Sequence, residues 1–220
     1  MQERGLLRHG LVNFNTIGMD QILEKLFESV PKVRLLRLFM HNPDESITGA
    51  DTAKRTQLRM PAARKELGKL VLAGIIKEKN IKVVVAGKRK THYKKVAVFR
   101  VNSDFPLFPE LRDLVVKSSV ASRKKILSQI KSLGRVRLAV LSGVFVNSEN
   151  ARTDLLLVGD DIRKGKLDNF LARTESELGK SIQHTLMDTE EFRYRLGMYD
   201  RFLRDILEYP HEKLINRLDI

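Results

Sequence analysis

The sequence predicts an α+β / α/β chain of two units, an N-terminal α+β unit followed by a small C-terminal α/β unit. Three observations carry this expectation. Apolar residues recur at three- and four-residue spacing between Met19 and Gly74. The period then changes to two β-branched runs around a basic, glycine-containing tip. Beyond residue 120, apolar strands alternate with amphipathic helices, the order of a layered α/β unit. The length of 220 residues accommodates two small domains, and an apolar content of 42% supplies cores for them.

Residues 1–18 show neither helical period nor a cap, and are expected to form a mobile or loosely docked extension. They also lack the sustained apolar core and small-residue cleavage site of a signal peptide. From Met19, Ile22, Leu23, Leu26 and Phe27 mark a first helix, and VRLLRLFM (33–40) a second, stopped by the polar HNPDES. Thr48 stands three residues before Asp51, a capping-box-like start for a short helix to about Arg55. TQLRMP reads as a turn, with Pro61 at the start of a helix that buries Ala63, Leu67 and Leu70 and closes at Gly74. IIKEKNIKVVVAG and VAVFRV then form a hairpin around GKRKTHYKK. The last three of these helices followed by a hairpin give the order of a winged helix-turn-helix.

SDFPLFPEL, with two prolines, reads as an ordered linker, and helices follow in LRDLVVKS and SRKKILSQIKSL. In the last third, VRLAVLSG (136–143), DLLLVGD (154–160) and IQHTLM (182–187) read as strands. The stretch VFVNSENART between the first two is polar loop, LDNFLARTESELG is an amphipathic helix, and the segment from EEFRYR is helical up to Pro210. The expected division is an extension at 1–18, a winged helix-turn-helix at 19–103, a linker at 104–119 and the α/β unit at 120–220.

Charge narrows the function. Lys and Arg number 41 against 27 Asp and Glu, a net +14. Residues 51–100 alone hold 15 basic and 3 acidic side chains, so most of the excess lies in that segment. A localised positive field suits a polyanion, because each cation placed on a phosphate releases condensed counterions. A solubility face, or a basic module meeting an acidic protein, is the competing reading. With no cysteine, disulfide scaffolds, thiolate zinc sites, Cys nucleophiles and iron–sulfur clusters are excluded. The five histidines are dispersed without metal spacing, and no Ser-His-Asp arrangement suggests itself. No apolar run approaches membrane-spanning length, so a cytoplasmic protein without membrane contact is expected.

Within the helix at 61–73, Lys65 lies opposite the apolar face, with Ala62 and Lys69 on the same outer side and Arg59 and Arg64 flanking it. In a helix-turn-helix this face enters the major groove, where Lys or Arg donates to guanine edges or phosphates. At the hairpin, Lys88, Arg89, Lys90, His92, Lys94 and Lys95 are placed to hold phosphates or a minor groove. The bland alternatives are a solvated helix face and a sheet edge protected by lysines.

The stretch RTQLRMPAARKELGKLVLAGIIKEK resembles the turn, recognition helix and first wing strand of prokaryotic transcriptional regulators of the arsenical-resistance-regulator type. DFPLFPELRDLVVK is similar to the linker of a subgroup in which a nucleotidyltransferase-like domain follows, and residues 120–215, with TDLLLVGD, resemble that domain. The resemblance implies double-stranded DNA as partner. It further implies a C-terminal unit for sensing a nucleotide or protein effector, for homodimerisation or for partner contact.

The family's active members combine Gly-Ser at a helix start with a paired D-x-D and a third carboxylate. Here Gly143 is followed by Val144, Asp154 matches the second aspartate, Arg152 stands at the first, and Gln183 is nearest the third. One carboxylate of three cannot gather two divalent ions, and Arg152 repels them. The expectation is therefore a non-enzyme without catalytic residues, metal or cofactor, in which Gly143, Arg152 and Asp154 are remnants of a transferase site. Arg152 would bind a nucleotide phosphate or pair with Asp154. An active nucleotidyltransferase acting on RNA or protein is the alternative.

Overall fold

The computed structural model describes residues 19–86, 91–118, 122–146, 148 and 151–220. The expectations for residues 1–18, for Lys88, Arg89 and Lys90, and for the His92 side chain lie outside the described residues. The chain is mixed α/β with two sheets.

Helices α1 (Met19–Phe27) and α2 (Val30–His41) open the first unit. The second begins earlier than its apolar period, because Ser29 accepts the Lys32 N–H and Pro31 suits the first turn. Strand β1 (Ile47–Thr48) precedes α3 (Gly49–Arg55), which Thr48 caps by accepting the Asp51 N–H at 3.1 Å. Helix α4 (Met60–Leu72) buries Ala63, Leu67 and Leu70, as its spacing predicts. Strands β2 (Ile76–Ala86) and β3 (Thr91–Val101) form a long antiparallel hairpin, and the sheet order is β1-β3-β2. Helix α5 (Phe108–Lys117) occupies much of the segment expected to be linker. Pro109 sits in its first turn, where the missing N–H costs nothing, and Val115 is buried in the same core as α2 and α4.

The second unit runs α6 (Arg123–Lys131), β4 (Arg135–Leu141), β5 (Leu155–Asp160), α7 (Lys164–Leu178) and β6 (His184–Met187). It ends with α8 (Thr189–Gly197), α9 (Arg201–Glu208) and β7 (Glu212–Asn216). The sheet order is β6-β5-β4-β7, and only β5 and β6 pair in parallel. That parallel pair requires a crossover, which α7 supplies. The two central strands are apolar over residues 138–141 and 155–158, where both faces are covered. Ala139, Leu141, Leu155 and Leu157 pack with α6 and α7, whereas Leu138, Val140, Leu156 and Val158 pack with Phe192, Leu203 and Ile206.

Two local expectations are revised. The helix expected to run to Pro210 breaks at Tyr199, whose φ is 54°, and restarts where Asp200 accepts the Leu203 N–H. After Pro210 the chain becomes β7, because an edge of β4 is available for pairing. Strand β1 is likewise legible only through its partners Val98 and Phe99.

Candidate nucleic-acid interface

Helices α3 and α4 are joined by four residues whose geometry follows from their chemistry. The Thr56 hydroxyl, buried, donates to Thr52 O at 2.6 Å, and Leu58 N donates to Ala53 O at 3.0 Å. Gln57 absorbs the reversal with a φ of 54°. From α2, Arg34 reaches across to donate to Thr56 O at 3.2 Å. The turn is held from within and from the neighbouring helix, which orients α4.

Arg59 just before α4, and Arg64, Lys65 and Lys69 on it, are exposed, and Ala62 is half-buried. Among the described residues, Arg59, Arg64 and Lys65 have no ion-pair partner. Lys69 differs, because its ammonium lies 2.6 Å from Glu66 Oε1. Glu66 is nearly buried, and its second oxygen has no hydrogen-bond partner. Sequence spacing placed Lys69 on the outer face and missed this pairing, although Glu66 at i−3 was the signal for it. Gly68 lies on the exposed side, and a Cβ there would meet nothing within 4 Å. A mid-helix glycine costs about 1 kcal/mol relative to alanine, and no internal packing accounts for it.

The hairpin extends past its core contacts. Ile76, Phe99 and Val101 are buried at its base, whereas residues 77–84 of β2 are exposed throughout. From Asn80 to Ala86 the strand reaches roughly 20 Å, at about 3.4 Å per residue. Lys94 and Lys95 are exposed on β3 and, with Lys79 and Lys82 of β2, have no ion-pair partner among the described residues. Ion pairs do occur around the base, at Lys77–Asp104 and Arg100–Asp44. The arm is thus a cationic projection whose Lys79, Lys82, Lys94 and Lys95 no described acid neutralises, on the same unit as the α4 face.

In the second unit, Gly143, Arg152 and Asp154 are brought near one another but differently than expected. Asp154 Oδ1 accepts Val144 N at 2.7 Å and Oδ2 accepts Gln183 N at 2.8 Å. Gly143, at φ +51°, turns the chain so closely under the carboxylate that a Cβ would stand 1.9 Å from Asp154 Oδ1. Arg152 turns away to pair with Asp205 on α9 at 2.5 Å, not with Asp154. Asp205 was invisible to sequence spacing, being 53 residues distant. Asp160 accepts both the N–H and the hydroxyl of Thr189, which hold its carboxyl below the usual carboxylate range. Among the described residues, no group of three His, Cys, Asp or Glu side chains could hold a metal ion. No described helix is long and apolar enough to cross a membrane.

No protein-family model, curated protein or solved structure matches the chain.

Proposed function

We propose that this protein is a sequence-specific DNA-binding transcriptional regulator whose first unit acts as a winged helix-turn-helix. The observation that carries the reading is the pairing of an exposed, unneutralised cationic face on α4 with a cationic arm on the same unit. In this reading α4 lies in the major groove, with Lys65 and Arg64 toward base edges and Arg59 toward phosphate. Gly68 lets the helix backbone approach the groove closely. Lys94, Lys95 and the tip cations Lys88, Arg89 and Lys90 hold the adjacent backbone. Lys69, shared with Glu66, contributes less charge than its neighbours.

The second unit, in the same reading, is a nucleotidyltransferase-like fold used for sensing, homodimerisation or partner contact without transfer chemistry. Supporting this, both Asp154 oxygens are engaged by backbone N–H groups and Arg152 is engaged by Asp205.

The test is duplex binding as a function of salt, first with a pool of random sequences and then with those selected from it. Log affinity is expected to fall linearly with log salt. Lys65→Ala should weaken selected sites by about tenfold, since one base contact is worth about 1–3 kcal/mol, and random DNA by much less. Binding undiminished by salt, or an equal loss on all DNA, would overturn the assignment.

A further inference from the structure

The hairpin register sorts its exposed side chains onto two faces, and they differ in chemistry. Directly opposed residues share a face, and the face alternates with each pair. The face that begins at the base with Ile76↔Val101 and Glu78↔Phe99 continues through Asn80↔Ala97, Lys82↔Lys95 and Val84↔Tyr93. The opposite face carries Lys79↔Val98, Ile81↔Val96 and Val83↔Lys94. Two lysines therefore stand directly across from one another on the first face, with Tyr93 one step nearer the tip.

Like charges in directly opposed positions weaken a hairpin. No described acid relieves the pair: Glu78, the acid on this face, lies four residues below Lys82, about 13 Å along the strand. That distance exceeds the screening length of about 8 Å at physiological salt. Beside the lysines, Tyr93 is 73% exposed and belongs to none of the three apolar clusters. The face is also the one that meets the helices at the base, through Ile76, Phe99 and Val101.

We infer that Lys82 and Tyr93 extend the nucleic-acid contact already proposed for Lys95: the two lysines bracket the phosphate backbone and Tyr93 stacks on an unpaired base. The occupant is identified by chemistry. Two unneutralised ammonium groups call for a polyanion, and an exposed ring between a cation pair and the arm's end offers a flat apolar surface for a base. Within an intact duplex each internal base face is covered by its stacked neighbours. The favoured substrate is therefore duplex DNA interrupted by an unstacked or unpaired base. This rests on the DNA-binding reading above and adds a structural preference to it.

The test uses the full chain and two probes, a blunt duplex and the same duplex carrying one unpaired 2-aminopurine. The wild type should prefer the interrupted probe and quench its fluorescence on binding. Tyr93→Ala should lose about tenfold on the interrupted probe and its quenching, while blunt-duplex affinity stays within about twofold. Tyr93→Phe, which keeps the ring, should retain both. Lys82→Ala and Lys95→Ala should each reduce the salt slope on both probes by about one. Salt-dependent duplex binding without preference or quenching would overturn this inference and leave the duplex reading intact. So would a Phe variant as impaired as the Ala variant. Absence of salt-dependent binding to either probe would instead overturn the duplex reading itself.

Discussion

At the residue scale, His41 shows how surroundings override composition. In the sequence it is one of five dispersed histidines. In the fold it ends α2 with its Nε2 buried and without a hydrogen-bond partner. Burial, with Lys180, Arg112 and Arg37 nearby, pushes its pKa from 6.5 down to about 4. The sign follows from proton counting. Between those two values the unfolded chain binds more protons than the native protein, so stability is fully present above pH 6.5 and declines as pH falls toward 4. The decline has a ceiling of about 1.4 kcal/mol per pH unit, for one proton. Asp104, Asp113 and Asp160, whose carboxyls are held low by Lys77, Lys117 and Thr189, act in the same direction but only below about pH 3.8. Thermal unfolding at pH 7.5, 6 and 5 should therefore show a falling Tm for the wild type and a flatter series for His41→Gln. Parallel series for the two proteins would contradict this account.

At the element scale, the connection from β4 to β5 is the least forgiving segment of the second unit. Its sequence, VFVNSENART, reads as polar loop, yet it begins with a 3-10 turn at Gly143–Phe145 and buries Phe145. The Asp154 carboxylate joins this turn to the start of β6 through Val144 N and Gln183 N. Asp154 N donates in turn to Gln183 O at 2.7 Å. The aspartate legible in the motif is thus a three-way structural clamp. Gly143→Ala combines left-handed strain, roughly 1–2 kcal/mol, with displacement of a charge-assisted hydrogen bond worth about 1.5–3 kcal/mol. A loss of about 2.5–5 kcal/mol is expected, read as a lower urea midpoint at unchanged slope. Asp154→Asn should also destabilise, because its amide nitrogen would face a backbone N–H. A Gly143→Ala midpoint within error of wild type would show that the turn relaxes freely.

At the scale of the whole molecule, α2 is the shared brace. Arg34 donates to Thr56 O at the end of α3, and one turn later Arg37 donates to Glu177 O at 2.9 Å in the last turn of α7. Each places a cation at the carbonyl end of a helix, where the dipole favours it. Asn42 bonds both Leu38 O and Gly179 O, and Gly179, at φ +77°, lies so close to α2 that a Cβ would stand 2.3 Å from the Arg37 carbonyl carbon. The two units should therefore unfold together. Calorimetry is expected to give one transition for the wild type, and either two transitions or a Tm lowered by several degrees for Gly179→Ala. A single transition at an unchanged Tm would show that the junction carries no coupling.

Most of the helices, the hairpin, the apolar strands and the cationic segment are legible along the chain, because these depend on period, capping and turn chemistry within a few residues. Thr48 and Asp51, or Ala63, Leu67 and Leu70, are close enough along the chain to announce their own geometry. Tertiary structure decided what depends on partners far away. Arg152 found Asp205 rather than Asp154, Val115 of α5 packed into the first core, and residues 212–216 became a strand because β4 had an open edge. It also decided which face of the hairpin holds Lys82, Tyr93 and Lys95, since strand register is a property of the pair and not of either strand.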